Sequence, residues 1–252
     1  MGLVKIYLIL YNLAQALGWG CLLYRLLPFI QKQVTDTKGF FPARNPKSLY
    51  EELGFHVELV QTAAMLEILH AILGFVKSSP AVTAKQILRY HSYQASMMTL
   101  FLFTLSCLFS RLGVVWVPLH FVLKAQTSPG VTLVLFAWSL TETIRYPYYA
   151  LNLINVNVGL LTWLRYTLFI FLYPMGVTGE LWCYCDSLSF WKTGKLFSIA
   201  LPNQWNFTFS PYVLIVMVLI MYIPGFPPMY FHMFGQRRKV LGRSSDDVKK
   251  QS

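Results

Sequence analysis

The chain has 252 residues, of which 56% are hydrophobic and only 12% charged, and its mean hydropathy is +0.49. Soluble domains carry about a quarter of their residues as charges, so this chain lacks the polar groups to cover a water-facing surface, and a soluble enzyme or binding module is excluded. The net charge of +11 does not mark a nucleic-acid binder either. Its Lys and Arg lie mostly between and beyond hydrophobic runs, where they meet lipid headgroups, and no zinc-finger, helix-turn-helix or RNP signature is present.

In chain order the apolar runs predict an all-α, polytopic transmembrane helical bundle of about six spans, each needing roughly 20 apolar residues. Residues 6–24 form the first and carry no charge. A mixed-charge loop, 31–54, leads to the second at 55–76, which has Glu67 and His70 inside it. A short basic loop, 77–92, precedes a long apolar block at 93–123, interrupted only by Arg111 and His120. The fourth run, 131–154, contains Glu142 and Arg145, and the fifth is 163–185. A polar and aromatic loop, 186–210, carries the glycosylation sequon Asn206-Phe207-Thr208, and the sixth run is 211–230. Residues 1–235 are read as the transmembrane domain and 236–252 as a basic tail, cytosolic by the positive-inside rule. The tail ends KKQS, with Lys249 and Lys250 fourth and third from the end, which resembles a dilysine retrieval signal and predicts a multi-pass protein of the endoplasmic reticulum membrane.

Cys21, Cys107, Cys183 and Cys185 match neither a CxxC pair nor a zinc spacing and read as small packing residues. No metal or cofactor is implied. Ionisable groups inside hydrocarbon are costly unless paired, so each is a functional candidate. Glu67 and His70 are three apart, as are Glu142 and Arg145, so each pair shares a helical face and can neutralise itself. Arg165 lies near a helix end and can snorkel to headgroups. Neither a transport relay through Glu67, His70 and Glu142 nor the inverted repeat it would need is supported by the sequence.

Tyr173 and Glu180 stand apart in RYTLFIFLYPMGVTGE, residues 165–180, because no cation lies between them. Seven residues are nearly two helical turns, so both point the same way, about 10 Å apart along the axis. Pro174 removes one backbone hydrogen bond and can kink the helix. Gly176 and Gly179 would leave the wall between the two thin enough for a chain-like ligand. A phenol and a carboxyl in a greasy groove are a candidate acid/base pair.

The run WLRYTLFIFLYPMGVTGE, with WSLTETIRY and MLEILHAILG upstream, closely resembles the very-long-chain (3R)-3-hydroxyacyl-CoA dehydratases, once called protein tyrosine phosphatase-like proteins. The likeness extends over IYLILYNLAQALGW, LPNQWNFTFS and YFHMFGQRRKVLG, and YPxGVxxE is its most specific mark. It implies a hydro-lyase of the endoplasmic reticulum membrane with about six spans, removing water from 3-hydroxyacyl-CoA in fatty-acid elongation. It also implies elongase and enoyl- or ketoacyl-reductase partners, and places the catalytic pair on Tyr173 and Glu180. Phosphatase chemistry is excluded, since no Cys-x5-Arg cradle is present: Cys183 has no arginine six residues on, and Cys21 precedes Arg25 by four. Residues 91–109 look surplus to the family pattern, whose third span begins near a Ser-Arg like Ser110-Arg111. That surplus motivates a competing expectation, a non-catalytic membrane scaffold of the elongation machinery.

Overall fold

A computed structural model of the full chain describes residues 2–37, 47–75, 110–194, 196–199 and 209–249. The loop 77–92, the segment 91–109, Cys107 and the Asn206 sequon lie outside them. Among the described residues the architecture is helical: α1 (Leu3–Thr37), α2 (Lys47–Ala63), α3 (Leu66–Ile72), α4 (Ser110–Leu119), α5 (Leu123–Gln126), α6 (Pro129–Leu153), α7 (Gly159–Thr193) and α8 (Pro211–Lys249). One isolated bridge, Ile199 to Phe209, is the exception.

Three of these helices are long and apolar enough to cross a membrane: α1, α7 and α8, over Leu3–Thr35, Gly159–Thr193 and Pro211–Gly242. At about 1.5 Å per residue, 35 residues of α7 exceed the roughly 30 Å of bilayer hydrocarbon. The expected fifth run therefore lengthens at both ends, and α7 passes through Pro174 without interruption. The last helix likewise continues past Gln236 to Lys249.

The second expected run is not a single helix over its described residues, and neither is the described part of the third. α2 buries a stripe of Leu49, Leu53, Val57 and Val60, stops at Ala63, and the chain turns at Ala64–Met65 before α3. Gly74 closes α3 at φ 70°, with Phe75 N–H bonded back to the His70 carbonyl at 2.9 Å, a Schellman end that needs a residue free of Cβ strain. The described part of the expected 93–123 span is helical from Ser110 through Phe121 and breaks at Val122. Its second half, Val115–Leu119, is a π-turn around Pro118, which has no N–H and would crowd a regular helix. By Val122 the backbone is extended.

α6 sits at the centre, packed against α1 on one side and α7 on the other. Ser128 caps it by accepting from Gly130 N–H at 3.2 Å, with Pro129 following in the first turn, the preferred chemistry for a helix start. It ends through Asn155 at φ 60°, again with a bond five residues back, Val156 N–H to the Leu151 carbonyl. The short connection makes α6 and α7 antiparallel neighbours.

Lipid provides no hydrophobic drive between helices, so close packing through small residues has to hold them. A Cβ on Gly179 would lie 2.7 Å from Val134 Cγ2 and 2.8 Å from the Gly130 carbonyl oxygen. One on Gly130 would lie 2.6 Å from the Gly179 carbonyl oxygen. One on Gly176 would meet Ala137 Cβ at 3.6 Å. The expected thin wall at Gly176 and Gly179 is thus corrected: α6 fills it, because backbone packs there instead of ligand. Gly179→Ala is expected to cost about 1–3 kcal/mol by overpacking, read as a lower melting midpoint in detergent. An unchanged midpoint would mean the two helices part there freely.

Candidate functional site

Among the described residues, two polar clusters are joined by neighbouring residues at the start of α4. The first is an ionic chain. Arg145 grips Glu67 with both terminal nitrogens, at 3.0 and 2.8 Å, and bonds Glu142 through Nε at 2.5 Å. Arg111 donates to the other oxygen of Glu142. Two guanidiniums and two carboxylates alternate, so the chain is neutral as a unit.

The expected Glu142–Arg145 pair is present, and Arg111 joins it. The expected self-neutralising pair of Glu67 and His70 is not. Both lie on α3, but Glu67 reaches Arg145 on α6, while His70 Nε2 meets the Tyr7 hydroxyl of α1 at 2.9 Å and packs on the Tyr11 ring edge. Arg165 also departs from expectation. It stays inside, donating to Tyr149 OH at 3.0 Å, with its guanidinium 4.5 Å from the ring centres of both Tyr148 and Tyr149. Aromatic faces stabilise a cation there, so it has no need to reach for headgroups.

The second cluster surrounds Glu180, which is 6% exposed. Trp138 Nε1 on α6 donates to Oε1 at 3.1 Å. Ser110 Oγ on α4 and Tyr222 OH on α8 reach Oε2 at 2.7 and 2.6 Å, and these two hydroxyls also bond each other. Arg111 links the clusters, its guanidinium lying 5.4 Å from the centre of the Trp138 ring.

Tyr173 is half-buried and stacks in parallel on Phe226 and Tyr230 of α8, with centroids 5.4 and 6.1 Å away. Tyr222, Phe226 and Tyr230 are successive fourth residues and so share one face of α8. The expectation that Tyr173 and Glu180 face the same way therefore holds: both meet that stripe. Their immediate neighbours differ, since Tyr173 lies among rings and Glu180 among hydroxyl and indole donors. Beyond Tyr230 the α8 surface has a depression of about 430 Å³ lined by Phe231, Phe234, Gly235 and Arg238.

Cys183 is fully buried, as expected of a packing residue, whereas Cys185 is exposed. No group of three or more His, Cys, Asp or Glu suited to a metal occurs among the described residues. Sequence reasoning missed Trp138 and Tyr222 as partners of Glu180, and saw Ser110 only as part of a motif. Nothing in their spacing signals the contact, for they lie 42, 42 and 70 residues from it.

The family model for protein tyrosine phosphatase-like protein, PTPLA, matches residues 89–243, a stretch that includes 91–109. Over 247 residues the chain is 36% identical to the human protein named very-long-chain (3R)-3-hydroxyacyl-CoA dehydratase 2, covering 98% of this chain and 85% of that one. It is 39% identical over 243 residues to the Caenorhabditis elegans dehydratase hpo-8, covering 96% and 97%. It is 31% identical over 241 residues to the Arabidopsis thaliana dehydratase PASTICCINO 2, covering 95% of each. No solved structure matches the chain.

Proposed function

Because this chain belongs to the protein tyrosine phosphatase-like family, PTPLA, we propose that it is a very-long-chain (3R)-3-hydroxyacyl-CoA dehydratase, a hydro-lyase of fatty-acid elongation. The reaction breaks the C2–H and C3–O bonds. The C–H electron pair becomes the C2=C3 double bond of trans-2-enoyl-CoA, and the C–O pair leaves with oxygen, which takes a proton and departs as water. One group must accept the C2 proton and another must protonate the hydroxyl.

Tyr173 and Glu180 are proposed as those two groups. The observation that carries the assignment is their common face on α7, opposite the Tyr222–Phe226–Tyr230 stripe of α8. In this reading the substrate lies along that seam with its acyl tail in apolar surroundings. Six spans, residence in the endoplasmic reticulum membrane, a cytosolic basic tail, and elongase and reductase neighbours complete the proposal. Membership of the dehydratase family and the three long apolar helices support it.

The test uses the purified full chain in detergent with 3-hydroxyacyl-CoA thioesters. Enoyl-thioester absorbance is expected to rise with the (3R) substrate and not with its (3S) isomer. A folded protein that forms no enoyl product would overturn the proposal and leave the scaffold reading.

A further inference from the structure

Three oxygen atoms carry an inference about how the site divides its work: Glu180 Oε2, Ser110 Oγ and Tyr222 OH. Each contacts the other two, with both hydroxyls reaching Oε2 and also each other. Three mutual contacts have room for three protons. With Glu180 ionised, the two hydroxyls supply only two, so one hydrogen bond of the ring is missing. A proton taken up by Glu180 supplies it. Carboxyl, serine and tyrosine O–H then each donate once and accept once around a closed ring.

Trp138 fixes which carboxyl oxygen takes part. Its indole N–H can only donate, and it donates to Oε1 while both hydroxyls reach Oε2, so a proton that closes the ring sits on Oε2. The cluster is one proton short, and it gains a hydrogen bond by accepting one. An interaction absent before proton transfer and formed as the transfer proceeds is the kind that lowers a barrier.

Resting on the dehydratase reading, we propose that Ser110 and Tyr222 are positioning residues that make Glu180 the acceptor of the substrate's C2 proton, leaving Tyr173 to protonate the departing hydroxyl. In the step, the C2 proton passes to the Glu180 carboxylate and its bonding pair becomes the C2=C3 bond. The C3–O bond breaks toward oxygen, which takes the Tyr173 phenolic proton and leaves as water. The carboxyl is then protonated and the phenol is a phenolate. One proton passing from the first to the second, directly or through the water just formed, restores both.

Two measurements on the full chain in detergent test this. The first compares kcat and KM for Tyr222→Phe and Ser110→Ala. Each opens the ring, so the hydrogen bond that proton uptake would complete is lost, and kcat is expected to fall roughly ten- to a hundred-fold with little change in KM. The second isolates proton removal: a saturated acyl-CoA, which has no hydroxyl to expel, is incubated in D2O and its C2 deuterium uptake followed by mass spectrometry. Uptake is expected with the parent protein, slowed by the same factor in both variants, and lost in Glu180→Gln. Ser110→Thr keeps the hydroxyl and is expected to recover most of the uptake, which separates the ring's effect from misfolding.

A rise in KM alone would overturn the proposal, as would a parent protein that takes up no deuterium. Uptake lost in Tyr173→Phe and kept in Glu180→Gln would reverse the roles. If Glu180→Gln turns over normally, the site reading itself falls. If that variant is dead while Tyr222→Phe and Ser110→Ala run at full speed, only the ring falls.

Discussion

Glu180→Gln is expected to lower dehydration by a factor of about 10² to 10⁴, the range lost when a positioned proton-transfer group is removed. The substitution is close to isosteric and its carbonyl oxygen can still accept from an indole or a hydroxyl, so the contacts with Trp138 and α8 persist in part. The amide can no longer take up a proton. Stability and turnover should therefore separate, with a melting midpoint near the parent's and almost no enoyl product. Tyr173→Phe is expected to behave alike, because the ring keeps its stacking on Phe226 and Tyr230 while the phenolic proton is lost. The double variant should be about as slow as the worse single one, since groups acting in one step do not add. Near-normal enoyl formation in both single variants would remove the pair from the mechanism.

The second large effect is on stability. Glu142→Gln is expected to destabilise the protein by about 3–5 kcal/mol, the cost of breaking a buried ion pair from one side. Glu142 is 3% exposed at its side chain and lies between two guanidiniums, those of Arg111 and Arg145. Once its charge is gone, Arg145 retains Glu67, while Arg111 loses the carboxylate to which it donates. For a chain of this size the midpoint should fall on the order of 10 °C. Glu67→Gln should cost less, because Glu67 is 25% exposed and Arg145 keeps Glu142. Equal losses from the two substitutions would show that burial does not set the cost here. Activity should also fall in Glu142→Gln beyond its effect on folding. Arg111 adjoins Ser110, which bonds Glu180, so a displaced α4 start disturbs the carboxyl as well.

The location of Ser110 and Arg111 explains why this chain spends so much polarity inside an apolar bundle. Two adjacent residues bring α4 to both clusters: one to the carboxyl proposed to do chemistry, the other to the chain of charges that holds α3, α4 and α6 together. Arg111 additionally lies against the Trp138 ring whose indole N–H bonds Glu180. Structural charge and proposed catalytic charge are therefore neighbours, with the structural pairs neutral among themselves.

What the sequence determined by itself is local or compositional. The scarcity of charge set the membrane environment, because no arrangement of so few polar groups covers a water-facing surface. Long apolar runs located α1, α6, α7 and α8. Spacing along one helix sufficed for Glu142–Arg145, three apart, and for the shared face of Tyr173 and Glu180, seven apart, since helical periodicity fixes those directions whatever the helix packs against. Partners on other helices were beyond its reach. Spacing pairs Glu67 with His70, but Glu67 meets Arg145, 78 residues away. Gly176 and Gly179 suggest a thin wall for a chain-like ligand but hold α6. The α2–α3 turn occurs at Ala64–Met65, where no proline or glycine announces it. Only the packing of α4, α6 and α8 around α7 decided that Glu180 meets Ser110, Trp138 and Tyr222, because which side chains face one another across helices depends on the rotation and register of whole helices, and no single segment encodes either.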